Sequence, residues 1–181
     1  MGQERRQTGF GGDLEVRIRN AGSEDLAFLW EMLYQAIYWG PERQEPKPPR
    51  EELLSNPEIS HYLAGWGQEG DTALIAVDDR DGRGIGAAWY RLMPPEDSGY
   101  GFVDASTPEM GLAVVSHLRG RGVGGALLRA LLDRARSEGL GAVSLSVEQE
   151  NPVVRLYERH GFTRLFADGN AWIMKVELPK G

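Results

Sequence analysis

Apolar and polar residues alternate from Leu14 to Arg19, the period of a strand with one face buried. The period then changes. Ser23 offers an N-cap, Glu24 and Asp25 suit a first helical turn, and Leu26, Leu29, Trp30, Leu33 and Ile37 fall on one helical face. Four prolines and a glycine between Gly40 and Pro49 break that pattern. A shorter helical region, Arg50 to Trp66, is interrupted near Pro57 and ended by Gly65 to Gly70. Ala73 to Val77 and Ile85 to Leu92 read as two strands joined by the turn-rich link Asp78 to Gly84. A long polar and aromatic loop follows, Pro94 to Pro108, of a length that usually has a function.

Beyond it, the apolar run Gly111 to Val115 predicts a strand, and Ala126 to Glu138 an amphipathic helix with Gly139 as its C-cap. Ala142 to Val147 predicts the next strand. Asn151 is an N-cap with Pro152 at the first helical position, and Gly161 stops that helix. Phe162 to Phe166 and Ala171 to Leu178 form a closing hairpin around Asp168-Gly169-Asn170. The expected order is β-α-α-β-β-β-α-β-α-β-β over a single domain from 13 to 181, preceded by a flexible segment, 1–12.

Composition narrows the classes. A chain of 181 residues, 41% hydrophobic, suits one domain with a full core. The absence of cysteine removes disulfides, thiolate metal sites and cysteine nucleophiles, and no metal is expected in the chemistry. No stretch approaches the roughly 20 apolar residues of a bilayer span, and Met1 to Gly12 lacks the apolar core of a signal peptide, so no membrane role and a cytoplasmic location are expected. A net charge of −7 argues against nucleic-acid binding.

The chemistry concentrates in Arg119-Gly120-Arg121-Gly122-Val123-Gly124-Gly125, between the strand and the amphipathic helix. Glycines let the backbone turn sharply and approach a ligand closely, and the helix start aims unpaired N–H groups and its positive dipole end at one point. A phosphate or pyrophosphate is the natural occupant. Read as Gly120-x-Gly122-x-x-Gly125, the run matches a dinucleotide fingerprint, with Glu148 as a ribose-binding acid and a nucleotide-binding oxidoreductase as the implied function. In such folds, however, the first glycine closely follows its strand, whereas here Ser116-His117-Leu118-Arg119 intervenes.

Read as Arg-x-x-Gly-x-Gly on Arg119, Gly122 and Gly124, the run resembles the acetyl-CoA-binding motif of the GNAT acyltransferase superfamily. The segment Asn151 to Phe162, with Tyr157 six residues after Asn151 and then Gly161-Phe162, resembles the family's second signature. Glu109 to Val114 resembles the strand before the cradle. The resemblance implies an α/β fold of the α+β type, with a mixed, mostly antiparallel central sheet flanked by helices on both faces. It implies acetyl-CoA as acyl donor and a small-molecule or peptide amine as acceptor, with a homodimer among the possible assemblies. In family terms the N–H groups from Arg121 through Gly122, Val123, Gly124 and Gly125 hold the pyrophosphate. The backbone of Leu112, Ala113, Val114 and Val115 pairs with the pantetheine arm by pseudo-strand addition. Arg119, Gly120 and Asn151 complete the implied cofactor set.

Tyr157 is then the candidate general acid for the departing thiolate, and core packing is its alternative use, just as helix capping alone would account for Asn151. An amine of pKa near 10.4 must lose a proton before attack, and Glu109 is the first candidate base, with Asp104, Glu31 and a water chain as alternatives. Trp30, Tyr34, Tyr38 and Trp39 are expected to mix core packing with the wall of the acceptor cleft, whereas Glu42, Glu45, Glu51 and Glu52 read by default as a solvated face, with a bias of the cleft toward cations as their alternative use. His117 and His160 read as surface imidazoles. The expected reaction is direct attack of a primary amine on acetyl-CoA; a non-catalytic acyl-CoA-binding module is the alternative use of the same cradle.

Overall fold

A computed structural model describes residues 5–10, 14–40 and 48–179. The strands are β1 (Arg5–Phe10), β2 (Leu14–Asn20), β3 (Thr72–Asp78), β4 (Gly84–Arg91), β5 (Glu109–Val114), β6 (Ala142–Glu148), β7 (Thr163–Asp168) and β8 (Ala171–Glu177). The helices are α1 (Leu26–Ile37), α2 (Arg50–Ser55), α3 (Pro57–Ser60), α4 (Val123–Ser137) and α5 (Val154–Arg159). One sheet of eight strands, in the order β1-β2-β3-β4-β5-β6-β8-β7, is antiparallel throughout except where β5 meets β6. Within the segment 1–12, for which the sequence predicts no element, Arg5–Phe10 pairs with β2 as the sheet's outer strand.

Burial follows the patterns that predict these elements. β2 alternates buried and more exposed positions, whereas β3 and nearly all of β4 are buried along their whole length, because helices cover both faces of the sheet there. On one face α1 packs Leu29, Met32 and Leu33 against Ile75, Ala87, Trp89 and Ala113. On the other, α4 packs Leu127, Leu128 and Leu131 against Leu74, Ala88 and Val114. Pro57 ends α2 and opens α3, whose N-cap Asn56 accepts the Glu58 N–H at 3.0 Å. Arg91 fastens the turns after α3 to the sheet, donating to the His61 and Ala64 carbonyls and to both oxygens of Asp71, at 2.8 and 2.6 Å.

The topology disposes of the dinucleotide reading. β6 joins β5 at a single bridge, Glu109↔Ser144, and then runs antiparallel to β8 for its full length. That is not a doubly wound parallel sheet. From Met110 onward β5 pairs with β4 on one edge and diverges from β6 on the other, so the sheet opens into a fork.

Candidate active site

The fork leads into a cavity of about 560 Å³ whose lining includes Glu109 to Leu112 of β5, Ser146 to Glu148 of β6, and Tyr157 of α5. Its far wall is aromatic, formed by Tyr38 and Trp39 after α1, Tyr62 after α3, and Tyr100 of the long loop.

The cradle sits at the outer end of β5. Gly120 and Gly122 take φ of 75° and 92°, the left-handed region that favours glycine, and Gly122 is the N-cap of α4. It supplies no side-chain cap, so the first N–H groups of the helix have neither an intrahelical acceptor nor a capping oxygen. A Cβ placed on Gly124 would meet Leu156, Val114 and Leu112 only at 3.5 to 3.9 Å, ordinary contact distances. Glycine there is therefore not required by the protein's own packing, and its bare backbone leaves room for close approach from outside. Open donors, a positive helix end and an open strand edge beside them fit a pyrophosphate joined to an amide-bearing arm.

The two arginines of the motif part company. Arg119 donates to the Val114 carbonyl at 3.0 Å, to the Trp39 carbonyl at 3.1 Å and to Gln35, tying the cradle to the C-terminal end of α1. Its guanidinium is thus occupied within the fold, while Arg121 is exposed beside the helix start.

Asn151 lines the cavity and accepts the Val153 N–H at 3.0 Å in the turn that leads into α5; the helix itself starts later than the sequence predicts, with Val153 and not Asn151 at the N-cap. Tyr157 is 6% exposed, with its ring 5.5 Å from that of Phe162, so it packs in the core while lining the fork. Burial pushes its phenol above the usual tyrosine value, so the hydroxyl stays protonated.

Glu109 lies 2% exposed at the closed end of the fork. Oε2 accepts the Gly99 N–H at 2.8 Å; Oε1 accepts the Gly101 N–H at 2.7 Å and the Tyr62 hydroxyl at 3.3 Å. Burial raises its pKa, and the three donors oppose that rise. The alternative bases fall outside the cavity: Asp104 is bound up with Ser106 and Thr107 in its own turn, and Glu31 accepts from Gln35 on α1. Glu51 and Glu52 are exposed on α2 and do not line the cavity; Glu42 and Glu45 lie outside the described residues. Besides Glu109, the carboxylates that reach it are Glu148 and Asp168, which the residue pattern does not assign to an acceptor cleft. Trp39 donates its indole N–H to Glu148 at 3.0 Å. Of the four aromatics on and just after α1, Tyr38 and Trp39 line the cavity, whereas Trp30 packs against the core and the Tyr34 hydroxyl donates to the Pro48 carbonyl. His117 is exposed, and His160 bonds the Leu156 carbonyl. Among the described residues no helix is long and apolar enough to cross a membrane.

Comparison with known proteins points the same way. The profile described as "Acetyltransferase (GNAT) family" matches residues 30–162. The mycothiol acetyltransferase of Thermomonospora curvata is 36% identical over 99 residues, 54% of this chain and 30% of that protein. That of Acidimicrobium ferrooxidans is 30% identical over 150 residues, 81% of this chain and 42% of its own length. The chain thus spans less than half the length of these curated relatives. In architecture it resembles the GNAT domain of S. lividans PAT, with a TM-score of 0.69 and 19% identity over 97% of each chain. It also resembles the PaiA N-acetyltransferase of Thermoplasma acidophilum in complex with coenzyme A, with a TM-score of 0.59 and 22% identity over 90% of this chain and 98% of that one.

Proposed function

Because the chain belongs to the GNAT family of acetyltransferases and is an acyltransferase, we propose that it moves an acetyl group from acetyl-CoA to a primary amine by direct attack. The observation that carries this reading is the alignment of open donors at the start of α4, the open edge of β5, and Tyr157 at the fork. In this reading the backbone from Arg121 to Gly125 holds the pyrophosphate, with Arg121 adding charge, and the end of β5 from Leu112 to Val114, with Val115 just after it, receives the amide-bearing arm. The thioester supplies an activated acyl carbon. The amine nitrogen bonds to that carbon, the carbon–sulfur bond breaks, and the thiolate takes the proton that the Tyr157 hydroxyl donates. The arriving ammonium sheds two protons on the way to the amide, one released to water in the carboxylate-lined cavity and one that returns the Tyr157 phenolate to the phenol. Glu148 and Asp168 make that cavity attractive to the protonated form in which most amines arrive.

The test is release of free thiol from acetyl-CoA against a panel of amino acids, polyamines, aminoglycosides and peptide N-termini. The relatives' name adds the acceptor used in mycothiol acetylation as the first compound to try. Acetyl-CoA should raise the melting temperature by binding the folded state. Stabilisation by NAD(P) and not by CoA compounds would refute the reading.

A further inference from the structure

The loop before β5 carries more geometry than a connection needs. Its turn Gly99-Tyr100-Gly101 is held on Glu109 by the two glycine N–H groups, at 2.8 and 2.7 Å. Between them, the Tyr100 N–H donates to the Tyr62 hydroxyl at 2.8 Å, and that hydroxyl donates onward to Glu109. The Tyr100 phenol donates to Glu58 at 2.8 Å, so this residue is tethered at its backbone and at the tip of its side chain. Its ring is half exposed and lines the cavity.

Both glycines are demanded by this arrangement. A Cβ on Gly99 would fall 2.4 Å from Glu109 Oε2 and 2.6 Å from the Tyr62 hydroxyl, and one on Gly101 would fall 2.6 Å from the backbone of Leu145. The backbone comes this close to a buried carboxylate and to β6 only because neither residue has a side chain. An ionised carboxylate has about four acceptor sites, and here three are filled by fixed donors.

We propose that Glu109 is a positioning residue for acceptor recognition, fastening the Gly99-Tyr100-Gly101 turn so that the Tyr100 ring forms the wall that receives an organic ammonium with an apolar body. Aromatic faces attract ammonium groups, and the cavity adds Trp39 with its Glu148 partner and, on β7, Asp168. An apolar body suits the Ile37, Ile59 and Tyr62 side of the same cavity. The inference rests on the acyl-transfer reading, because it takes this cavity as the acceptor site.

The probe is 2-phenylethylammonium, titrated by calorimetry into the protein saturated with CoA. Tyr100→Ala removes the wall, Gly99→Ala pushes the turn off an intact carboxylate, and Glu109→Gln sets an amide N–H₂ against a backbone N–H. Each should weaken binding at least about five-fold, the scale of one ammonium–ring contact. Glu109→Gln should add nothing in the Tyr100→Ala background, since both act through one ring. Melting with acetyl-CoA, run on the same proteins, should give the wild-type shift in every variant. Unchanged binding in Tyr100→Ala or Gly99→Ala, additive effects in the double variant, or no binding of the probe by wild type would overturn the proposal. A wild type that acetyl-CoA does not stabilise would instead overturn the acyl-transfer reading beneath it.

Discussion

Gly124→Ala should move two measurements in opposite directions. Gly124 lies in the first turn of α4 at an ordinary helical φ, and the added Cβ would meet Leu156, Val114 and Leu112 at 3.5 to 3.9 Å without overlap. Replacing a glycine by alanine at a compatible backbone position typically stabilises by roughly 0.4–1 kcal/mol, by narrowing the unfolded ensemble. For a chain of 181 residues each kcal/mol corresponds to roughly 2–4 °C, so the ligand-free protein should melt about 1–4 °C higher. The same methyl group stands where a ligand would approach the backbone. With acetyl-CoA at 100 times its dissociation constant the wild type gains about 2.7 kcal/mol, and a ten-fold loss of affinity leaves about 1.4 kcal/mol. The ligand-induced shift should therefore fall by about half, from roughly 5–11 °C to roughly 3–6 °C. Differential scanning calorimetry with and without acetyl-CoA reads both effects. An undiminished ligand shift would refute the argument that glycine is kept there for the ligand, and a lower melting point without ligand would show that its own fold requires it.

Tyr157→Phe should preserve the fold and the acetyl-CoA shift while lowering kcat at least ten-fold, the lower range of general-acid effects being about 10²; wild-type turnover would leave Tyr157 as packing alone. Arg119→Ala should lower the melting temperature, because it cuts the bonds to Val114, Trp39 and Gln35, whereas Arg121→Ala should leave melting unchanged and weaken CoA binding most at low salt. Breaking the buried Asp71–Arg91 pair with Asp71→Asn should cost about 3 kcal/mol by chemical denaturation. Although burial alone would raise it, Asp71 is held below the usual aspartate value by Arg91 and the N–H groups of Gln68 and Gly67. Its stabilisation is accordingly present in full above the ordinary value of 3.8 and lost as the pH falls through the lower folded value, a loss that Asp71→Asn should abolish in an acid titration of stability.

Local features were legible in the sequence because their causes are local. Alternation along Leu14 to Asn20 reports one buried face, Pro57 divides a helical stretch wherever it sits, and the glycine run must bend the chain before α4. Glu109, Asn151 and Tyr157 could be named from their places in motifs, and all three reach one cavity. What surrounds them is set by strand order. Tyr62, Tyr100 and Glu148 meet there because β5 and β6 lie side by side with α1 and α3 above them, and no spacing along the chain encodes that meeting. Arg119 shows the same limit from the other direction. Its sequence position suggests a phosphate contact, yet its guanidinium lies on a carbonyl of Trp39, 80 residues away in the chain. Glu51 and Glu52 keep the solvated face that is their default reading, and the alternative of a cleft role falls away because helix phase turns them to solvent on α2.

The single bridge between Glu109 and Ser144 also bears on cooperativity. Strands β1 to β5 form one continuous ladder and β6, β8 and β7 another, and backbone pairing crosses between them at that one point. Opening of the second ladder breaks few bonds belonging to the first, so amide hydrogen exchange should resolve the two as units of different protection. A ligand lodged in the fork would touch both and merge their opening, so its binding would be felt as slower exchange in β8 and β7, strands that lie beyond the fork.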